Sequence, residues 1–156
     1  MLSELETSIE FIEGTHGLRD SVLDMLHDDD LKVALGGSTL TLGELLREWG
    51  EVQYSYVQSF REFKQDWDWR TDDPAHSTHL DAIRQWYAHL DSELIEAMSQ
   101  LSEGELAGVI ERGFEMPTRL QIDVYLQAVL IFLGKASIYL RVLNKPLGEK
   151  LIAWIG

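Results

Sequence analysis

Apolar positions recur along this chain at spacings of three and four almost throughout, the mark of helices that bury one face. No stretch alternates convincingly with a period of two, so strands are not expected. Leu5, Ile9 and Ile12, continued by Leu18, Val22 and Met25, predict a first helix over residues 2–26. The run Asp28-Asp29-Asp30 and the pair Gly36-Gly37 then make a polar break.

The second helix announces its own start. In Thr41-Leu42-Gly43-Glu44 the threonine hydroxyl accepts from the backbone N–H of Glu44, and the glutamate reaches back, which makes a capping box. Leu42, Leu45, Leu46, Trp49, Val52, Tyr56, Val57 and Phe60 follow at helical spacing. Residues 65–74 read as a long, partly ordered connection, and Pro74 stops any continuing helix.

A third helix is predicted over 78–101, with Ile83, Trp86, Tyr87, Leu90, Leu94, Met98 and Leu101 on its buried face. Ser102 to Glu105 caps a short helical piece, and Gly113 and Pro117 bound a turn. The fourth helix is expected from Thr118, with Gln121 completing a second capping box, to about Leu143. It is apolar nearly all round, which predicts packing on several sides. Asn144-Lys145-Pro146 ends it, and residues 147–155 can close the chain with a short helix. The expected fold is all-α: an up-and-down four-helix bundle with short additional helices, one domain over 1–156.

Composition agrees and excludes several functions. A chain of 156 residues with 45% apolar content supports one core and is too short for two. Thirteen Lys and Arg against 27 Asp and Glu give a net charge of -14, which argues against nucleic acid or an anionic membrane as partner. The absence of cysteine excludes disulfides, thiolate metal sites and cysteine nucleophiles. The start is acidic, unlike a signal peptide. The uncharged run from Val124 to Gly134 falls short of the ~20 residues a bilayer requires. A soluble, cytoplasmic protein is expected. The acid is uneven: residues 1–115 hold 25 acidic and 8 basic residues, and residues 116–156 hold 2 and 5.

Two segments resemble the DinB-like superfamily of four-helix bundles, damage-inducible proteins related to bacillithiol- and mycothiol-dependent S-transferases. Thr41-Leu42-Gly43-Glu44-Leu45-Leu46 is similar to the family's opening of helix two, and Ile131-Phe132-Leu133-Gly134-Lys135 followed by Leu140-Arg141 to its His-His-Arg-Gly-Gln stretch with a Leu-Arg pair. Helix order and loop lengths agree over nearly the whole chain. The resemblance implies the bundle fold and, in typical members, three histidines on a divalent metal. Here those positions hold Glu48, Phe132 (with Ile131 beside it) and Ala128, or Gln127 in a register shifted by one. The triad is not retained, and one carboxylate does not hold a transition metal alone. No cofactor is therefore expected, and metal-dependent catalysis is argued against.

Several residues are candidates on physical grounds. Glu48, on the edge of the second helix's apolar stripe, is either an anchor in a small-molecule cavity or a boundary residue turned to solvent. Lys135, on the row Val124, Ala128, Ile131, Lys135, Ile138 and Val142, can pair with Glu48 or snorkel to water. His76 and His79, near Asp72, Asp73 and Asp81, form one possible ligand cluster, and His16 with Glu48 another; solvated or core histidines are the plainer readings. No serine sits in a nucleophile elbow, the glycines lack a phosphate-loop context, and Asp66, Asp68, Asp72 and Asp73 lack calcium-loop spacing. Trp67 and Trp69 lie outside the regular pattern and can anchor their loop or a subunit contact.

The leading expectation is a protein without a metal that binds a small molecule or partner in the bundle cleft. By position in the family's pocket, Glu48, Trp49, Val52, Ala128 and Phe132 would line that cleft. One alternative is a thiol S-transferase or hydrolase with zinc or nickel on an altered site of Glu48 and His16. Another is a structural or interaction protein acting as a homodimer; a homodimer is expected under every reading, since a two-fold pair is the commonest assembly.

Overall fold

The structure, a computed structural model, describes the backbone of residues 3–155 and the side chains of 5–154. Its long helices are α1 (Ser3–Leu23), α2 (Leu42–Glu62), α3 (Leu80–Ser99) and α5 (Thr118–Val142), with the short α4 (Glu103–Leu106) and α6 (Glu149–Ile155). The apolar stripes read from the sequence are buried, apart from the half-buried Met25 and Val52. Leu5, Ile9, Ile12, Leu18 and Val22 of α1 meet Leu45, Leu46, Trp49 and Phe60 of α2, Ile83, Tyr87, Leu94 and Met98 of α3, and Tyr125, Phe132 and Leu140 of α5 in one core.

Both α1 and α2 pack against α3 and against α5. The chain from residue 24 to 41 therefore crosses the bundle end, because a short turn would have made α1 and α2 neighbours. That segment shortens the first helix, which ends at Leu23 and not at residue 26, and Met25 is only half-buried. Within it, Asp28–Lys32 forms a 3-10 helix that inserts Leu31 into the core. A second 3-10 turn, Pro74–Ser77, delays the start of α3 to Leu80. There the side chain of Asp28 accepts from the Leu80 backbone N–H at 2.8 Å.

Two further sequence expectations change. Strands exist: β1 (Val109–Glu111) and β2 (Glu115–Pro117) pair antiparallel, with Ile110 opposite Met116 and both buried. Their alternation is real but spans three residues each, too few to stand out as a period. The second capping box does not form. Pro117 occupies the N-cap and Thr118 lies inside the helix, while the Gln121 amide bonds to distant side chains.

Helix α5 packs on several sides, against α1, α2, α4 and the hairpin, and leaves one face open. Ile131, Ile138 and Val142 are 59%, 52% and 55% exposed on its outer face. By length and composition α5 could cross a membrane once Asp123 and Lys135 are tolerated at the ends of its apolar run. In this fold its inner face packs on α1, α2 and the hairpin, as the central helix of a bundle does.

Trp67 and Trp69 anchor the 63–74 connection onto α2. The Trp69 ring lies 4.0 Å from that of Tyr54, and Trp67 meets Tyr56 edge-on at 6.1 Å. Phe63 closes α2 in the left-handed region, at a φ of 53°. The chain then pairs with β1, where Glu111 donates its N–H to the Phe63 carbonyl at 2.9 Å.

Candidate small-molecule site

The capping box at the head of α2 forms as its residue types dictate. Thr41 Oγ1 accepts from the Glu44 N–H at 3.1 Å, and Glu44 Oε2 accepts from the Thr41 N–H at 2.7 Å. Those bonds hold the Glu44 carboxyl below its ordinary pKa. This start sets the phase of α2: Leu45, Trp49, Tyr56 and Phe60 turn into the core, while Glu48 and Val52 fall on the flank.

Opposite that flank lies the strap 33–41. Gly36 and Gly37 have φ values of 100° and 60°, a region that glycine enters without a Cβ penalty. The turn is clamped by Thr39, whose hydroxyl donates to the Gly36 carbonyl at 2.8 Å and accepts from the Leu35 N–H at 3.1 Å. The hydroxyl of Tyr139, on α5, donates to the Leu40 carbonyl and ties the strap to that helix.

Between strap, α2 and α5 lies a cavity of about 360 Å³. Its walls are Leu35, Leu40, Leu45, Ile138 and the Tyr139 ring, with Ser38 and Thr39 at the strap and Glu48 and Lys135 as its two charged groups. A second cavity of about 240 Å³ lies further along α2, lined by Glu48, Glu51, Val52, Ser55, Trp67 and Arg70. Glu48 thus borders both. It is half-buried and makes no hydrogen bond or ion pair among the described residues.

Its neighbour Glu51 is the opposite case. Only 6% exposed, it sits 3.4 Å from Arg47 and 3.6 Å from Arg70, and it accepts from the Thr71 N–H at 3.2 Å. Its charge is balanced within the protein, and the charge of Glu48 is not.

The other residues expected in the pocket are distributed differently. Val52 is half-buried and lines the smaller cavity. Trp49 and Phe132 are core, stacked face to face with centroids 5.4 Å apart. Ala128 is half-buried against the core and lines neither cavity. Lys135 and Glu48 share the larger cavity without forming an ion pair; the lysine ammonium lies 4.8 Å from the centre of the Phe132 ring.

The histidines have structural surroundings. His76 stacks on Trp86 at 4.1 Å and its Nδ1 is 2.8 Å from Thr71 Oγ1; burial lowers its pKa, against the opposing pull of Asp73 and Asp72. His79 is exposed, with Nδ1 2.8 Å from Thr78 Oγ1. His16 is buried, with Nε2 2.5 Å from Tyr125 Oη and Nδ1 3.0 Å from Asp91 Oδ1. Both of its ring nitrogens are engaged, and it lines neither cavity that Glu48 borders.

The residues present do not fit the metal that a DinB-like bundle implies. By the sequence resemblance the imidazoles would fall at Glu48, at Phe132 and at Ala128, or at Gln127 in the shifted register, and these side chains make no transition-metal set. The Phe132 ring is stacked on Trp49, whose indole N–H is a donor and no ligand, and has no hydrogen-bond partner. Among the described residues no three His, Asp or Glu side chains gather into a ligand set.

Sequence reasoning passed over the largest polar feature of the interior. Arg19 of α1 is 1% exposed, and Asp91 of α3 accepts from its Nη1 at 3.0 Å and from its Nη2 at 2.7 Å. Gln53 of α2 donates to the same carboxylate at 2.7 Å and accepts from Arg19 at 3.2 Å. Burial opposes the charge on Asp91, yet the bonds from His16 and Arg19 outweigh it and hold the carboxyl far below the usual range. The signal was there. His16 and Arg19 continue the row Leu5, Ile9, Ile12 at spacings of four and three, and Gln53 falls between Trp49 and Tyr56 in the same way.

A second buried network closes the hairpin end. Gln121 donates to Ser59 Oγ at 3.0 Å and to Gln65 Oε1 at 2.9 Å, and accepts from Arg112 at 2.8 Å. The Arg112 guanidinium in turn lies 5.1 Å from the Trp67 ring centre and 5.8 Å from those of Tyr56 and Phe114.

Four long helices around one core, with a flanking cleft at the head of α2, define an all-α bundle of the DinB-like fold. The crystal structure of a DinB-like protein from Bacillus subtilis, YjoA, matches with a TM-score of 0.73 at 10% identity. The match covers 90% of this chain and 94% of that one. No family profile and no curated protein matches the sequence. At 10% identity the likeness shows the fold, and the site rests on its own residues.

Proposed function

We propose that this protein binds a small molecule in the cavity between α2, α5 and the 33–41 strap, without a metal. One observation carries the reading: a half-buried carboxylate, Glu48, borders an apolar cavity with no partner of its own. A carboxylate held partly out of water without a partner costs free energy, and ligand sites retain such groups to orient what they bind. The strap, α2 and α5 each supply apolar surface, and about 360 Å³ is at the small end of ligand pockets.

A neutral fluorescent dye, N-phenyl-1-naphthylamine, tests the reading. It should bind saturably to the wild-type protein and no longer to Ile138→Trp, which fills the cavity from an exposed position that tolerates bulk. Equal binding to both proteins would place the dye elsewhere and overturn the location.

A second reading rests on the outer face of α5. Ile131 and Val142, with Ile138 at the edge of the cavity, are exposed on either side of Lys135, the kind of surface that a second copy of the chain would cover. Sedimentation equilibrium tests it: a dimer that becomes a monomer on Ile131→Glu supports the pairing, and a wild-type monomer at tens of micromolar rejects it.

A further inference from the structure

We infer that the ligand is a small zwitterion, carrying one ammonium and one carboxylate group on an apolar frame. This rests on the reading of the larger cavity as a binding site and adds the chemical class.

The two charged groups on its walls come from different helices, Glu48 from α2 and Lys135 from α5, and they do not neutralise each other. Every other charged side chain near the head of α2 is satisfied within the protein: Glu44 by its capping box, and Glu51 by Arg47 and Arg70. The Lys135 side chain is exposed, its ammonium 4.8 Å from the Phe132 ring centre, so its donors meet water until a ligand covers them. A ligand with one charge would complete one wall group and leave the other facing it unpaired. A ligand with both charges completes both, its ammonium at Glu48 and its carboxylate at Lys135. The body then lies on Leu35, Leu40 and Ile138, apolar side chains that are exposed in the absence of a ligand.

Displacement of N-phenyl-1-naphthylamine from the full chain tests this with two matched sets. One is L-leucine with 3-methylbutylamine and 4-methylpentanoate; the other is 6-aminohexanoate with hexylamine and hexanoate, which covers a wider separation of charge. At least one zwitterion should displace the dye at about tenfold lower concentration than both of its singly charged relatives, the worth of a charge-assisted hydrogen bond. Glu48→Gln should abolish its advantage over the carboxylate, and Lys135→Gln its advantage over the amine. Dye binding with no zwitterion preferred, or a preference that survives both substitutions, overturns the inference and leaves the cavity standing. Absence of dye binding to the wild-type chain overturns the cavity reading and the inference with it.

Discussion

Arg19 and Asp91 meet in the interior of the bundle through two parallel hydrogen bonds, 3.0 and 2.7 Å long, joining α1 to α3. The pair is not isolated. Gln53 and His16 bring α2 into the same cluster and, through Tyr125, α5. All four long helices therefore share one polar junction. Its members are satisfied together, so removing any one leaves a buried polar group without its partner.

Asp91→Asn leaves Arg19 buried without its main counter-charge. The expected loss is about 3 kcal/mol, the low end for a broken buried pair, because Asp20 still accepts from Arg19 at 2.8 and 3.0 Å. A denaturant titration with unchanged slope and a lower midpoint is the outcome that checks it.

The same carboxylate sets the response to acid. Its folded pKa lies far below its unfolded value of ~3.9, so the unfolded chain takes up the proton first as pH falls. The stabilisation is complete above about pH 5 and is lost progressively below it. Unfolding free energy measured between pH 6 and 3 should fall less steeply in Asp91→Asn than in the wild type.

Gly50 lets α2 approach α3. A Cβ there would stand 2.3 Å from Cζ3 and 2.4 Å from Cη2 of Trp86, a ring that also stacks on His76. Gly50→Ala gains about 1 kcal/mol of helix propensity and loses about 1–3 kcal/mol to overpacking. A lower melting temperature with altered Trp fluorescence is expected; a higher one would show that Trp86 gives way freely.

Tyr139→Phe removes the hydroxyl that ties the strap to α5 through the Leu40 carbonyl. The global cost is about 1 kcal/mol. Amide exchange should accelerate in residues 35–40 and stay unchanged in α3, with weaker dye binding at the cavity.

Two sites show what was legible and why. At Thr41 and Glu44 the capping partners are three residues apart and nothing else competes for them, so the pattern alone decides the structure. Thr118 and Gln121 carry the same pattern, yet Ser59, Gln65 and Arg112 claim the glutamine. Those partners lie up to 62 positions away in the chain, and no local rule can weigh them. The candidate site divides likewise. Glu48 was visible as a charge on an apolar stripe, and it does border a cavity. Trp49 and Phe132 were carried over by position, and their stacking places them in the core.

Hydrophobic periodicity and the capping box at Thr41 by themselves determined four helices, most of their buried faces and the polar break after α1. These depend on residues within a few turns of one another, where spacing is geometry. Only the tertiary structure decided that Arg19 and Asp91 are partners, that the 24–41 segment crosses the bundle, and that Glu48 and Lys135 face one cavity unpaired. Each of those depends on which helix lies beside which, and long-range packing settles that by the burial of whole faces together.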